Sequence, residues 1–217
     1  MRYAVLGTGE VGRTLAGRLL ELGHEVTLGS RTRDNPVAVE WATAEAGRAH
    51  AGTFAEAAAA GEVVVNAVAG RVALDALEAA GAEHLAGKVL VDVSNPLAFE
   101  DGQPLLDPVG SDSVGERIQR AFPQVRVVKT LNTVNCRVMV DPGRVPGEHH
   151  LFVCGADARA KEQVTALLGE FGWPAGRVLD LGGIEAARAV EMYLPLWLTL
   201  FGRFGDADFN IEVRRSG

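Results

Sequence analysis

Short runs dominated by branched apolar residues recur along the chain, at Tyr3–Leu6, Glu25–Leu28, Val63–Val68, Val89–Val93, Val125–Lys129, His150–Cys154 and Val178–Leu181. Each predicts a strand. Most of their positions are apolar, without the alternation of a half-exposed strand, which marks strands covered on both faces in a parallel sheet. Between them apolar residues return at helical spacing: Val11, Leu15, Leu19 and Leu22, then Val72, Ala73, Ala76 and Leu77, then Val164, Leu167, Leu168 and Phe171. Each such stripe is wide enough to cover one sheet face. Ser113 and Glu116 have capping-box spacing and predict a helix that runs to Phe122, where Pro123 stops it. The alternation predicts an α/β fold, a doubly wound and mostly parallel sheet.

Toward the end, Glu185–Phe201 is apolar over much of a helical circumference and contains Pro195, so it should be kinked and buried, against its own domain or a second subunit. This suggests two parts: residues 1–145 as an NADP-binding Rossmann-type domain, and residues 146–217 as a small C-terminal α/β-helical extension that completes a substrate pocket and contacts a second copy. Leu97–Pro108 and Asp141–Glu148, rich in Pro and Gly, read as loops with the composition of a lid or boundary.

Composition narrows the function classes. In 217 residues, 47% hydrophobic and 23% charged describe a globular chain, and 6% aromatic means a core of Val, Leu and Ala. A net charge of −7 supplies no positive field for a polyanion, which argues against nucleic acid and acidic membrane surfaces. The apolar run Met192–Gly202 is too short to span a bilayer, and the N-terminus enters a strand at once, so a cytoplasmic location is expected. Cys136 and Cys154 lack metal-ligand spacing and read as buried small residues, and the adjacent His149 and His150 read as structural. No metal site is expected.

The strongest chemical signal is Gly7-Thr8-Gly9-Glu10-Val11-Gly12, directly after the first strand and opening the first helix. In that setting one glycine permits the tight turn, the next lets backbone approach a pyrophosphate, and the third lets the helix pack close on the strand. The helix N-terminus then faces the pyrophosphate. After the second strand comes Gly29-Ser30-Arg31-Thr32-Arg33, with no carboxylate until Asp34. A hydroxyl and two guanidinium groups at the adenosine ribose suit a 2′-phosphate, so NADP(H) is expected over NAD(H), and Asp34 is read as a cap for the next helix. Ligands of such sheets bind at the strand carboxyl ends. Those ends hold Ala67, Val68 and Ala69, small enough for ribose and nicotinamide; Asn95 and Pro96, as the far wall; and Lys129, Asn132, Thr133 and Asn135, as polar groups near the nicotinamide. No hydrolytic constellation accompanies them, whereas hydride transfer needs little beyond positioning.

Gly7–Gly12 with Leu22-Gly23-His24-Glu25-Val26 and Gly29-Ser30-Arg31 resembles the coenzyme F420-dependent NADP oxidoreductase family. Val128–Thr133, Phe152–Asp157 and Ala187-Arg188 resemble the same family and the cytosolic reductase domain of the STEAP metalloreductases. The resemblance implies a Rossmann fold and hydride transfer between NADPH and the deazaflavin F420 or a flavin-like acceptor. It implies that Thr8, Glu10 and Val11 touch the pyrophosphate, that Ser30, Arg31 and Arg33 hold the 2′-phosphate, and that Ala67–Ala69 meet the ribose and nicotinamide. Asn132 falls where a histidine stands beside the deazaflavin in archaeal-type members, and Asn66–Gly70 lacks their proline and tryptophan; the acceptor is therefore left open, with Asn132 as a candidate catalytic residue and Asn132 and Thr133 as candidate contacts. Two alternatives stand beside this: reduction of an imine or small carbonyl, with Lys129 as the proton donor, and a non-catalytic NADP sensor. A homodimer acting on a small-molecule redox substrate is expected.

Overall fold

A computed structural model describes residues 1–44 and 47–216. The chain begins with β1 (Arg2–Leu6), α1 (Glu10–Glu21), β2 (Glu25–Ser30), α2 (Pro36–Ala44), β3 (Ala49–Thr53), α3 (Phe54–Ala60) and β4 (Val63–Asn66). It continues through α4 (Ala73–Ala80), α5 (Ala82–Leu85), β5 (Val89–Asp92), a hairpin of β6 (Leu97–Glu100) and β7 (Gln103–Leu106), α6 (Val114–Ala121) and β8 (Arg126–Thr130). Then come α7 (Cys136–Val140), β9 (Leu151–Cys154), α8 (Ala158–Glu170), β10 (Val178–Asp180), α9 (Ala187–Met192) and α10 (Leu194–Phe204).

Among the described residues eight strands form one sheet in the order β10-β9-β8-β5-β4-β1-β2-β3. All neighbours are parallel except β8 and β9. Strand order reverses between β1 and β4, where a doubly wound sheet opens its ligand crevice. The period-two rule explains the absence of polar alternation. In β1, Tyr3 and Val5 join one hydrophobic core while Ala4 and Leu6 join the other. The same split separates Val63 and Val65 from Val64 in β4, and Val89 and Val91 from Leu90 in β5. Helices α1 and α8 supply Leu15, Leu19, Val164 and Leu168 to the first core, and α4 and α6 supply Leu77 and Ile118 to the second. Cys136 and Cys154 are free and buried, and burial pushes the Cys154 thiol up to about 12.

Four local expectations are corrected. Ala49–Thr53, Ala-His-Ala-Gly-Thr, has little strand propensity, yet it pairs with β2 along its whole length as the sheet edge. Leu97–Pro108 is largely a hairpin and not a loop: Phe99 pairs with Pro104, and Asp101 and Gly102 turn at φ 50° and 78°, the positive values a tight two-residue hairpin turn needs. The cap of α2 is Asn35, whose Oδ1 accepts from Ala38 N at 3.2 Å, in place of Asp34. Pro195 does more than kink the last helix. It has no N–H to donate to the Glu191 carbonyl, so α9 ends, Tyr193 intervenes, and α10 restarts with the proline in its first turn. Met192, Leu196, Phe201 and Phe204 on this segment are exposed in the single chain, so burial is only partial.

The Ser113–Glu116 cap forms as expected, Ser113 Oγ accepting from Glu116 N at 3.1 Å. Residues 206–216 carry no regular structure and fold back along the start of β9, where Ile211 O accepts from His150 N at 3.0 Å. His149 and His150 are structural: His149 bonds Pro142 O and Asn210, and Val213 N donates to His150 Nδ1.

The tightest packing in the first βαβ unit lies at Gly12, where an added Cβ would stand 2.0 Å from Gly7 O. Gly12→Ala should therefore destabilise the fold by about 1–3 kcal/mol in chemical denaturation. Unchanged stability would mean that α1 can lift off β1 freely.

Candidate active site

The glycine turn is built by close approach. Gly7 sits at φ +117°, and a Cβ there would meet Ala67 O at 2.7 Å; its N–H donates to Gly29 O at 3.0 Å, which brings the ends of β1, β2 and β4 together. Gly9 differs, since nothing lies within 4 Å of where its Cβ would be. It is also the N-cap of α1 and makes no side-chain cap bond, so the first N–H groups of a twelve-residue helix face that space. Open space, uncapped donors and a helix dipole are what a pyrophosphate requires, and the turn fits the diphosphate of a dinucleotide.

At the end of β2, Ser30 is buried and donates Oγ–H to Thr32 O at 2.5 Å. Arg31 is exposed with no ion-pair partner among the described residues, whereas Arg33 is paired with Glu56. The same Glu56 carboxylate accepts Thr53 N at 2.8 Å in the capping box of α3.

A cleft of about 760 Å³ opens along the strand ends. On the glycine-turn side it is walled by Glu10, Val11, Ala67, Val68 and Ala69, and beyond them by Ser94, Asn95 and Asn132. Of the residues expected at the cofactor, Glu10, Val11, Ala67, Val68, Ala69 and Asn95 thus share one cleft. The two asparagines clasp each other: Asn95 Nδ2 donates to Asn132 O at 2.8 Å, and Asn132 Nδ2 donates to Asn95 Oδ1 and to Val190 O, both at 3.0 Å. Both amide protons of Asn132 are committed, so it offers a ligand a carbonyl oxygen and no proton. Asn135 also lines the cleft and caps α7.

Gly7, Thr8, Gly9, Gly12, Ser30, Arg31 and Arg33 lie outside the cleft wall, at the glycine turn and the end of β2, and Pro96, Thr133 and Lys129 stand off it as well. Pro96 is buried, and its carbonyl accepts Asp107 N at 2.8 Å, which anchors the hairpin. Thr133 is buried, with its Oγ1 unpartnered among the described residues. Lys129 is fully buried and lies 3.0 Å from Asp92, 2.8 Å from Glu191 and 2.5 Å from Ser94 O. Burial alone would favour its neutral form, but the two carboxylates outweigh it and hold the pKa above the ordinary lysine value. An ammonium so enclosed is a structural cation. Its assignment as a proton donor is corrected on that ground.

The far end of the cleft was not foreseen. Leu97, Ala98 and Phe99 of the hairpin, Met139 of α7, and Leu194 and Trp197 of α10 form its apolar wall, and Arg71 stands at the rim. The Asp101-Gly102 pair was a readable hairpin signal that would have placed Phe99. Nothing local marks Trp197.

Glycine turn, reversed strand order and a cleft at the strand ends define a Rossmann-type dinucleotide-binding oxidoreductase. The model of the family described as NADP oxidoreductase, coenzyme F420-dependent, matches residues 2–96. The F420-dependent NADP reductase of Methanothermobacter marburgensis is 30% identical over 211 residues, covering 92% of each chain. Rat metalloreductase STEAP3 is 30% identical over 200 residues; the match covers 90% of this chain but only 38% of STEAP3. A crystal structure from Arthrobacter sp. FB24, designated provisionally an F420-dependent NADP reductase, is 50% identical with a TM-score of 0.92, covering 99% of this chain and all of that one. The chain belongs to the F420-dependent NADP oxidoreductase family and is an NADP-dependent oxidoreductase, with NADP(H) as its cofactor. No helix among the described residues is long and apolar enough to cross a membrane.

Removing one partner of a fully buried ion cluster leaves uncompensated charge, so Lys129→Ala should lower stability by about 3–5 kcal/mol in urea unfolding. A loss within about 0.5 kcal/mol, the range of an ordinary surface substitution, would contradict the enclosure described.

Proposed function

We propose that this protein transfers hydride between NADP(H) and a deazaflavin, coenzyme F420, or a flavin-like acceptor. The observation that carries the reading is the cleft itself. It runs without interruption from Glu10 and Val11 at the glycine turn, past Ala67–Ala69, to an apolar wall of Phe99, Leu194 and Trp197, leaving a slot for a second flat ring beyond the nicotinamide position. The relatives named F420-dependent NADP reductase support the same acceptor. When bound, NADPH supplies the hydride. The chain's own part is positioning: the uncapped start of α1 takes the diphosphate, the small side chains of Ala67 and Ala69 admit the ring, and the Asn95–Asn132 clasp fixes the opposite wall. Hydride passes directly between the two rings, and the proton that the reduced acceptor takes up at a ring nitrogen comes from solvent at the open cleft and not from Asn132, whose amide protons are already used. Imine reduction would need a proton donor, and buried, doubly paired Lys129 does not serve as one. The exposed Leu196, Phe201 and Phe204 of α10 support the reading of a homodimer contact through this helix.

Purified protein mixed with oxidised F420 should bleach its absorbance with NADPH and do so at least about tenfold more slowly with NADH, a factor that corresponds to about 1.4 kcal/mol of cofactor discrimination. NADPH binding without turnover on F420, FMN or riboflavin would instead favour a sensor.

In this reading Arg31 is the free guanidinium for the 2′-phosphate, while Arg33 is held by Glu56. Arg31→Ala should weaken NADPH binding by about 1.5–3 kcal/mol and leave NADH nearly unchanged, with a smaller effect for Arg33→Ala. Calorimetric titration of both cofactors checks this, and equal losses for both would refute it. Gly9→Ala, which meets no atom of the protein, should weaken NADPH binding while changing stability by less than about 1 kcal/mol.

A further inference from the structure

Arg71 belongs to the short 3-10 turn Gly70–Val72 that follows the Ala67–Ala69 wall. Two contacts fix that turn. Gly70 N donates to Asn95 O at 3.2 Å, and the approach is so close that a Cβ on Gly70 would lie 2.3 Å from the same oxygen. The turn also packs against β6 of the hairpin. Arg71 is thereby placed at the cleft rim between the cofactor half and the apolar acceptor wall. Its side chain is exposed and, among the described residues, has neither a hydrogen bond nor an ion pair, in a chain whose net charge is −7. In the same cleft, Trp197 is braced by Phe201 and Phe209, stacked at centroid distances of 5.3 and 5.4 Å. A rigid aromatic face suits a flat ring, and a free guanidinium at the rim suits an anion.

We propose that Arg71 is a specificity-determining residue for the hydride acceptor: it binds a phosphate or carboxylate arm of a planar heteroaromatic whose ring lies against the wall containing Trp197. The inference deepens the function proposed above and rests on it. It separates acceptors with the same ring but different charge, which an apolar slot alone does not do.

The test uses equilibrium binding to the full protein saturated with NADP⁺, which cannot reduce an oxidised flavin, so no turnover intervenes. FMN and riboflavin share one ring and differ by a phosphate. Tighter binding of FMN than of riboflavin by the wild type is expected, with that preference falling about tenfold in Arg71→Gln, as for one charge-assisted contact at a solvent-exposed rim. Arg71→Lys should restore part of it, and the affinities for riboflavin and NADP⁺ should stay within about twofold, since a point charge keeps the attraction but loses the bidentate fork. F420 and its core lacking the phosphate and acidic tail form a second pair with the same expectation. Equal weakening of both members of a pair, or weakening confined to NADP⁺, would overturn the role of Arg71 while leaving the acceptor reading intact. Failure of the wild type to bind any of the four compounds would overturn the acceptor reading, and this inference with it.

Discussion

The walls of the cleft depend on a charged cluster with no access to water. Lys129 at the end of β8, Asp92 at the end of β5 and Glu191 in α9 are all essentially fully buried. Isolated charges in that position would be heavily penalised, and they are tolerated because every one is saturated. Asp92 also accepts from Asn66 Nδ2 at 2.9 Å, from Ser94 N at 3.1 Å and from Ser94 Oγ at 2.7 Å. Glu191 accepts from the N–H groups of Val114 and Gly115, which open α6. One cluster therefore ties β4, β5, β8, the start of α6 and α9 together. Four of these lead directly into cleft residues: Ala67 follows Asn66, Asn95 follows Ser94, Asn132 follows Lys129 by three, and Leu194 follows Glu191 by three. Hydrogen-bonded charge has directional demands that an apolar contact lacks, so the strand ends are held in register as well as packed.

How much of this was legible follows from where each signal resides. Strands covered on both faces announce themselves by composition, so β1, β4, β5 and β8 were readable within a residue or two. β3 was not, because Ala49, His50 and Gly52 are held as a strand by pairing with β2 and not by their own preference. The glycine turn was legible because its geometry is a backbone requirement that only glycine meets at positions 7 and 12. Lys129 was legible as a polar residue at a strand end, but its meaning was not. Whether a lysine there faces a ligand or an ion cluster depends on Glu191, 62 residues away in sequence. Arg71, Phe99 and Trp197 lie on three separate elements, and nothing in their own segments shows that a turn, a hairpin and a broken helix converge.

The two ends of the cleft are thus built on different principles. The cofactor end is made of backbone: a positive-φ glycine, uncapped helix N–H groups and small side chains that stand aside. Such a site changes little when surface residues drift. The far end, proposed above for the acceptor, is made of side chains from a hairpin and a C-terminal helix, where a single substitution alters shape or charge.

The adenosine end shows the same economy of charge. β2 ends without the carboxylate that a ribose 2′-hydroxyl would call for, yet a carboxylate is nearby: Glu56, three residues into the next capping box. Both of its oxygens are engaged: one accepts Thr53 N at the start of α3 and the other pairs with Arg33. The Arg33–Glu56 pair lies in solvent and adds little stability of its own. Its consequence is electrostatic: Glu56 is neutralised locally, and Arg31 is left as the net positive charge beside Ser30. In the reading proposed above, a cofactor preference that position after β2 assigns to two arginines comes down to one, with the second neutralising a neighbour.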